Sequence, residues 1–127
     1  MLDETLKRLA SKGRNIAAVS TLLPDGTPQT TPLWVDADDD HLLLNTEVHR
    51  QKFKNLDRDP RVTVTIWNAE NPYEYAELRG EVVATVTGPE ARAHIDQLSR
   101  KYTGKDYGNP IQSERVILKV APRRARG

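Results

Sequence analysis

The sequence contains no cysteine, which excludes disulfide bridges, thiolate metal ligands and a cysteine nucleophile. It also has no apolar run that approaches the roughly 20 residues of a membrane-spanning helix. The first residues, Met1 to Glu4, lack the charged and then apolar pattern of an export signal. We therefore expect a cytoplasmic protein with no membrane role.

An excess of one charge is also missing, because 19 lysines and arginines face 18 aspartates and glutamates. A chain so close to neutral has no overall field to attract nucleic acid, so we expect no nucleic-acid partner and only local basic sites.

Large aromatic residues are few as well, with one Phe, two Trp and four Tyr. Because such a chain has few anchors for a core of its own, we expect it to gain burial as a homodimer.

The acidic run from Asp36 to Asp40 is a candidate cation site. It lacks the distal glutamate and the central glycine of a calcium loop, so we predict a solvated turn there. The three histidines, His41, His49 and His94, do not have the spacing of metal ligands. We therefore assign no metal.

The remaining pattern is that of a small antiparallel β protein with short helices. Helices are predicted over residues 3–12, over residues 50–56 and from a capping box at residues 87–90 to about residue 104. Strands are predicted over residues 15–22, 28–35, 41–46, 61–67, 73–86 and 114–120. Gly80, inside a long strand, suggests a bend or bulge that curls the sheet. We predict one domain over residues 1–127, mainly β, built as a closed or split barrel of about six antiparallel strands.

The junction between the strand that ends at Thr46 and the helix that begins near Arg50 is a candidate anion site. Free backbone N–H groups and the positive end of the helix dipole meet there, and the Thr46 hydroxyl, Arg50 and Lys52 complete a possible phosphate cradle. The alternative is a solvated helix face on which basic residues balance acidic ones. The residues of that alternative are Arg50, Lys52, Lys54 and Arg58 with Asp57 and Asp59. The spacing alone leaves both interpretations open.

The order of motifs along most of the chain resembles the pyridoxamine-phosphate-oxidase-like split-barrel family. The motifs are Asp25-Gly26-Thr27-Pro28-Gln29, Asn45-Thr46, Arg50-Gln51-Lys52, Asn55-Leu56, Arg58-Asp59-Pro60-Arg61-Val62, Leu78-Arg79-Gly80-Glu81-Val82, Tyr102-Thr103-Gly104 and Arg115-Val116-Ile117-Leu118. The resemblance implies a homodimeric split barrel of the FMN-binding type. It also implies a phosphate end at Thr46, Arg50, Gln51 and Lys52, and a ring system beside Thr31, Pro32, Leu33 and Trp34.

Within that family, the spaced Arg50-Gln51-Lys52 resembles the branch that uses the deazaflavin coenzyme F420. The sequence ends at Arg123-Arg124-Ala125-Arg126-Gly127, without the arginine-containing segment that holds pyridoxal phosphate in the oxidases. The resemblance therefore implies an F420H2-dependent reductase that passes a hydride to a small organic acceptor. An FMN-binding reductase of the same fold and a non-catalytic F420 carrier are the alternatives. We assign no catalytic residue, although Tyr75 is a candidate proton donor.

Overall fold

The computed structural model of the protein describes residues 1–123, and a seven-stranded antiparallel sheet dominates it. The predicted mainly β fold with short helices is confirmed. In chain order the elements are α1 (Glu4–Ser11), β1 (Ala17–Leu22), β2 (Pro28–Leu33), β3 (Asp36–Ala37), β4 (Leu42–Glu47), α2 (Gln51–Arg58), β5 (Arg61–Asn68), β6 (Asn71–Thr87), α3 (Pro89–Thr103) and β7 (Arg115–Pro122). The strand order in the sheet is β2-β1-β5-β6-β7-β4-β3. Residues 124–127, most of the basic C-terminal run, lie outside the described residues.

The sheet has one strand more than the predicted six. The additional strand is β3, in which Asp36 pairs with Leu43 and Ala37 with Leu42. The turn predicted over Asp36 to Asp40 is therefore shorter than expected. It is organised by Asp38, whose carboxylate accepts hydrogen bonds from the N–H groups of Asp40 at 2.9 Å and His41 at 2.7 Å. Aspartate has a low strand propensity, but pairing with the buried strand β4 supplies backbone partners that outweigh it.

The core lies on the inward face of the curled sheet. Alternate residues of the strands point inward, and Val19, Leu44, Val64 and Leu118 are at most 1% exposed. Helix α1 packs its buried leucines against β3, β5 and β6. Asp3 begins this helix by accepting bonds from the first backbone N–H groups. Every residue of β4 except Leu43 is buried, as the apolar run predicts.

Gly80 lies where β6 changes its register against β7. The shift falls between Val82 and Ala84. A Cβ atom at Gly80 would lie 2.4 Å from the carbonyl oxygen of Ala121, so only glycine permits this close approach of the two backbones. The predicted irregularity near Gly80 is therefore confirmed.

Helix α3 builds a second, smaller core. It buries Ile95, Leu98 and Tyr102, and Trp34 packs against this cluster. The predicted capping box is wrong, because Gly88 occupies the N-cap position with φ 78° and no side chain caps the helix. Within residues 1–123, no helix is long and apolar enough to cross a membrane.

Candidate functional site

The end of β4 is fixed by a buried carboxylate. Glu47 is 2% exposed, and its Oε1 accepts bonds from the backbone N–H groups of Gln112 at 2.7 Å and Ser113 at 2.8 Å. Burial alone would raise the pKa of Glu47, but these two donors and the charge of Arg115 bring the pKa below its ordinary value of 4.5. Glu47 is therefore an ionised group at neutral pH.

Helix α2 begins four residues after Glu47, at Gln51, with an uncapped N-terminus. Arg50 is the N-cap residue and makes no side-chain capping bond. The N–H groups of Phe53 and Lys54 donate to the Arg50 carbonyl. Among the described residues, the N–H groups of Gln51 and Lys52 have no partner, as expected for the first turn of a helix. The predicted junction thus offers two free backbone donors.

The side chain of Gln51 does not point to this opening but holds the helix in place. Its Nε2 donates to Asn55 Oδ1 at 2.8 Å. Asn55 is fully buried, and its Nδ2 donates to Thr21 Oγ1 at 3.0 Å and to Gln29 Oε1 at 3.1 Å. This chain of amides fastens α2 to β1 and β2 and engages the Gln51 amide within the helix.

Three cations lie near one another at the start of α2. Burial of Lys52 lowers its pKa, and the nearby charges of Arg50 and Arg115 lower it further. Among residues 1–123, neither Arg50 nor Lys52 forms an ion pair with a carboxylate, whereas Arg115 Nη1 lies 3.6 Å from Glu47 Oε2. The cluster therefore carries more positive than negative charge and suits an anion.

The alternative, a helix face with balanced charges, finds little support in the contacts. Asp59 pairs with Arg61 at 2.7 Å, and the hydrogen bonds from Arg61 hold the pKa of Asp59 at about 2. Arg58 donates to the carbonyl of Leu22 instead of pairing with an acid. Lys54 is exposed. The charges of α2 are thus not matched within the helix.

A cleft of about 360 Å³ opens beside these cations. It is lined by Ile16, Pro32, Leu33, Trp34, Asn45, Tyr107, Asn109 and Arg115. Three of the residues that the resemblance places beside a ring system, Pro32, Leu33 and Trp34, are thus part of the cleft lining. Trp34 also belongs to the core, since its ring stacks on Tyr102 at 5.3 Å and meets Tyr107 edge-on at 6.2 Å.

Thr31 and Thr46 lie outside the cleft lining. Thr31 pairs with Val19 and faces the barrel interior, where its buried Oγ1 has no hydrogen-bond partner among the described residues. Thr46 is 4% exposed, so little of its hydroxyl is open to a ligand. The structure therefore brings Pro32, Leu33 and Trp34 together in the cleft and Arg50 and Lys52 together at the helix start. Thr31, Thr46 and Gln51 are not part of the cleft lining.

Arg115 links the cleft to the cation cluster, and the sequence interpretation gave it no role. Its Nε donates to Asn45 Oδ1 at 2.8 Å, and its guanidinium lies 5.2 Å from the centre of the Tyr107 ring. Asn45 in turn donates to Ala91 O and His94 Nδ1, each at 3.0 Å. The polar residues at the end of the buried strand β4 could have indicated such a partner, because buried polar groups require hydrogen-bond partners.

Two tyrosines, Tyr75 and Tyr102, offer no proton donor to the cleft. Tyr75, the sequence candidate, is 64% exposed and pairs with Trp67 across the sheet, and it is not part of the cleft lining. Tyr102 donates to the carbonyl of Asn15, and burial raises its pKa to about 12. Within residues 1–123, no group of three or more His, Cys, Asp or Glu side chains is arranged to hold a metal ion.

Comparison with known proteins identifies relatives of the whole fold. Residues 2–127 match the family described as pyridoxamine 5'-phosphate oxidase. A solved structure named F420 reductase is 28% identical with a TM-score of 0.81, and the match covers 98% of this chain and 97% of that one. A conserved hypothetical protein from Mycobacterium tuberculosis is 25% identical with a TM-score of 0.70, over 98% of this chain and 82% of that one.

A FAD-binding protein from Mesorhizobium loti shares the fold at 18% identity and a TM-score of 0.63, over 95% of this chain and 88% of that one. A search of curated proteins finds no match. These relatives confirm the predicted split barrel. The chain belongs to the pyridoxamine 5'-phosphate oxidase family.

Proposed function

We propose that the protein is an F420H2-dependent reductase that passes a hydride from reduced deazaflavin to a small organic acceptor. The observation that carries the proposal is the cluster of Arg50, Lys52 and Arg115 at an uncapped helix start, of which Arg115 also lines a cleft together with the apolar residues Pro32, Leu33 and Trp34. Similarity over nearly the full length to a structure named F420 reductase supports it. When bound, F420H2 supplies a hydride and a proton, so that a two-electron acceptor leaves as its dihydro form and the deazaflavin leaves oxidised.

The residues at the start of α2 fit the phosphate end of such a cofactor. An anion there would meet the side chains of Arg50 and Lys52 and the free N–H groups of Gln51 and Lys52. It would also offset the repulsion between Lys52 and its cationic neighbours, which lowers the pKa of Lys52 in the free protein after the larger effect of burial. The phosphate would thus supply the negative charge that Arg50 and Lys52 lack, and these two side chains would neutralise the phosphate.

The cleft fits the ring end. Pro32, Leu33 and Trp34 give it an apolar wall on which a planar ring system can pack. The chain's own task is then to hold the ring with one face open to an acceptor and to exclude water from that face. The choice of F420 over FMN rests on the spacing of Arg50 and Lys52 and on the named relative.

Cofactor titration tests the proposal. We expect F420 to bind more tightly than FMN, measured by fluorescence. Lys52→Ala should lose about 1.5–3 kcal/mol of binding free energy, an affinity loss of about ten-fold to a hundred-fold, because it removes a charge-assisted contact. Added salt should weaken binding in the wild type more than in this variant.

Lys54→Ala is the matched control, because Lys54 is an exposed lysine of the same helix. It should bind F420 as the wild type does. Equal affinities for the wild type and both variants, at low ionic strength and with unchanged circular dichroism, would remove the phosphate site. Tighter binding of FMN, or FMN retained through purification, would favour the FMN-binding reductase.

Turnover distinguishes a reductase from a carrier. A reductase should oxidise F420H2 when it is given a panel of quinones, enones and tetrapyrroles, and the rate should depend on the acceptor. A carrier would bind F420H2 with the same residues and leave its oxidation rate unchanged with every acceptor of the panel.

The reductase is also proposed to work as a homodimer. The outward face of β1 and β5 carries small or short side chains, including Ala18, Ser20, Thr63 and Thr65, in register across the two strands. Such a face allows close packing of a second sheet, and a second copy would cover it. Light scattering should therefore give twice the chain mass of 14.3 kDa. A monomer at micromolar concentration that binds F420 fully would contradict this part of the proposal.

A further inference from the structure

Arg115 has more donors than the protein uses. The side chain is 8% exposed; its Nε donates to Asn45 Oδ1, and Tyr107 is a further hydrogen-bond partner of the guanidinium. Its Nη1 lies 3.6 Å from Glu47 Oε2, which is too long for a hydrogen bond. A guanidinium carries five N–H donors, so most of them remain available.

Arg115 is part of the cleft lining. Among the described residues, no nitrogen of Arg115 is both fully buried and without a partner. The donors that lack a protein acceptor are therefore open to solvent, and Arg115 lines the cleft beside Trp34. The arginine thus presents a charged edge to a cavity whose other wall is apolar.

The surroundings hold this guanidinium in one place. Asn45 accepts from Nε and is itself fixed through its bond to the carbonyl of Ala91. Glu47 stands opposite Arg115 in the pairing of β4 with β7, and two backbone N–H groups fix its carboxylate. The Tyr107 ring packs against the guanidinium face. A donor group fixed in this way is prepared for a ligand and loses little freedom on binding.

We propose that this cleft binds the hydride acceptor and that Arg115 anchors a carboxylate carried by a flat, otherwise apolar acceptor. The planar fork of an arginine matches the two oxygens of a carboxylate. Ile16 and Tyr107, which line the cleft together with Arg115, provide apolar surface for the rest of such a molecule beside a cofactor ring on Pro32, Leu33 and Trp34. The term acceptor rests on the proposed function, whereas the ligand chemistry rests on the cleft alone.

Isothermal titration with a pair of flat probes tests this without turnover. The probes are anthraquinone-2-carboxylate and its carboxamide, titrated into the cofactor-free protein. The wild type should bind the carboxylate at least about ten-fold more tightly than the carboxamide, since only the carboxylate forms a charge-assisted pair. Equal affinities for the two probes would overturn the proposal.

Two variants locate the anchor. Arg115→Gln should abolish the preference for the carboxylate, and Lys52→Ala should keep it. If Arg115→Gln leaves Glu47 unpaired and fails to fold, the double variant Arg115→Gln/Glu47→Gln removes both charges and should give the same loss of preference. If the preference for the carboxylate probe persists in Arg115→Gln, or if Lys52→Ala loses it to the same extent, the assignment of Arg115 as the anchor is wrong.

The outcomes separate the two proposals. If the protein prefers the carboxylate probe but does not bind F420, the anion-binding cleft is supported and the proposed function is wrong. If the protein binds and oxidises F420H2 but does not distinguish the probes, the proposed function is supported and the proposed carboxylate acceptor is wrong.

Discussion

Replacement of Asn45 by leucine is the most direct test of the polar network behind the cleft. Leucine has nearly the shape of asparagine but neither its donor nor its acceptor. The change removes three contacts at once, with Arg115 Nε at 2.8 Å and with Ala91 O and His94 Nδ1 at 3.0 Å each. It leaves those groups in a site where Asn45 itself is 5% exposed.

The magnitude follows from what is left unpaired. A hydrogen bond to a charged group contributes about 1.5–3 kcal/mol, and a neutral one about 1 kcal/mol. The gain from burying leucine offsets part of the loss. We expect Asn45→Leu to lower the free energy of unfolding by about 2–4 kcal/mol and to weaken binding of the anthraquinone carboxylate, because Arg115 loses the acceptor that orients it.

Urea unfolding and probe titration measure the two effects. Asn109→Leu is the control, because Asn109 also lines the cleft but is exposed and makes no side-chain hydrogen bond among the described residues. The control should stay within about 0.5 kcal/mol of the wild type. If Asn45→Leu costs less than about 1 kcal/mol and leaves the probe affinity unchanged, the network does not position Arg115.

Three further predictions concern the frame of the site. Gly80→Ala should lower the free energy of unfolding in urea by about 1–3 kcal/mol, since the new Cβ would lie 2.4 Å from Ala121 O; a change near zero would contradict the close approach. Glu47 has a lowered pKa, so its stabilisation is present above pH 4.5 and disappears as the pH falls through its folded pKa. The free energy of unfolding of Glu47→Gln should therefore be lower than that of the wild type at pH 7, and the two should become equal in acid. A difference that does not change with pH would show that ionisation of Glu47 does not stabilise the fold. The pKa of Lys52 lies below 10.5, so F420 affinity should fall as the pH rises through it, and Lys52→Ala should lack this fall in titrations across alkaline pH.

Much of the fold could be predicted because its signals are local. The apolar run of β4, the glycine in β6 and the proline that follows α2 each act on their own neighbourhood. The strand β3 could not be predicted in this way, because two residues such as Asp36 and Ala37 form a strand only when a buried neighbour offers its backbone. The start of α3 was misjudged for a related reason, since Gly88 is needed for its positive φ and the side chain of Thr87 is not used.

The candidate site was predicted only where it is continuous in sequence. Arg50 and Lys52 lie within one helical turn, so a helix start was enough to suggest them. Arg115 is 70 residues from Asn45, and its place opposite Glu47 depends on the register of β4 with β7. A pattern along the chain does not contain that register.

Strand β4 connects the two ends of the proposed site. Its last residues hold the start of α2 through the bond from Arg50 N to Glu47 O, and they hold Arg115 through Asn45 and Glu47. A change in β4 should therefore disturb both cofactor and probe binding, whereas Lys52→Ala should affect the first and Arg115→Gln the second. The pairing of β4 with β7 thus fixes where Arg115 lies relative to the start of α2, and with it where the proposed carboxylate anchor lies relative to the proposed phosphate end.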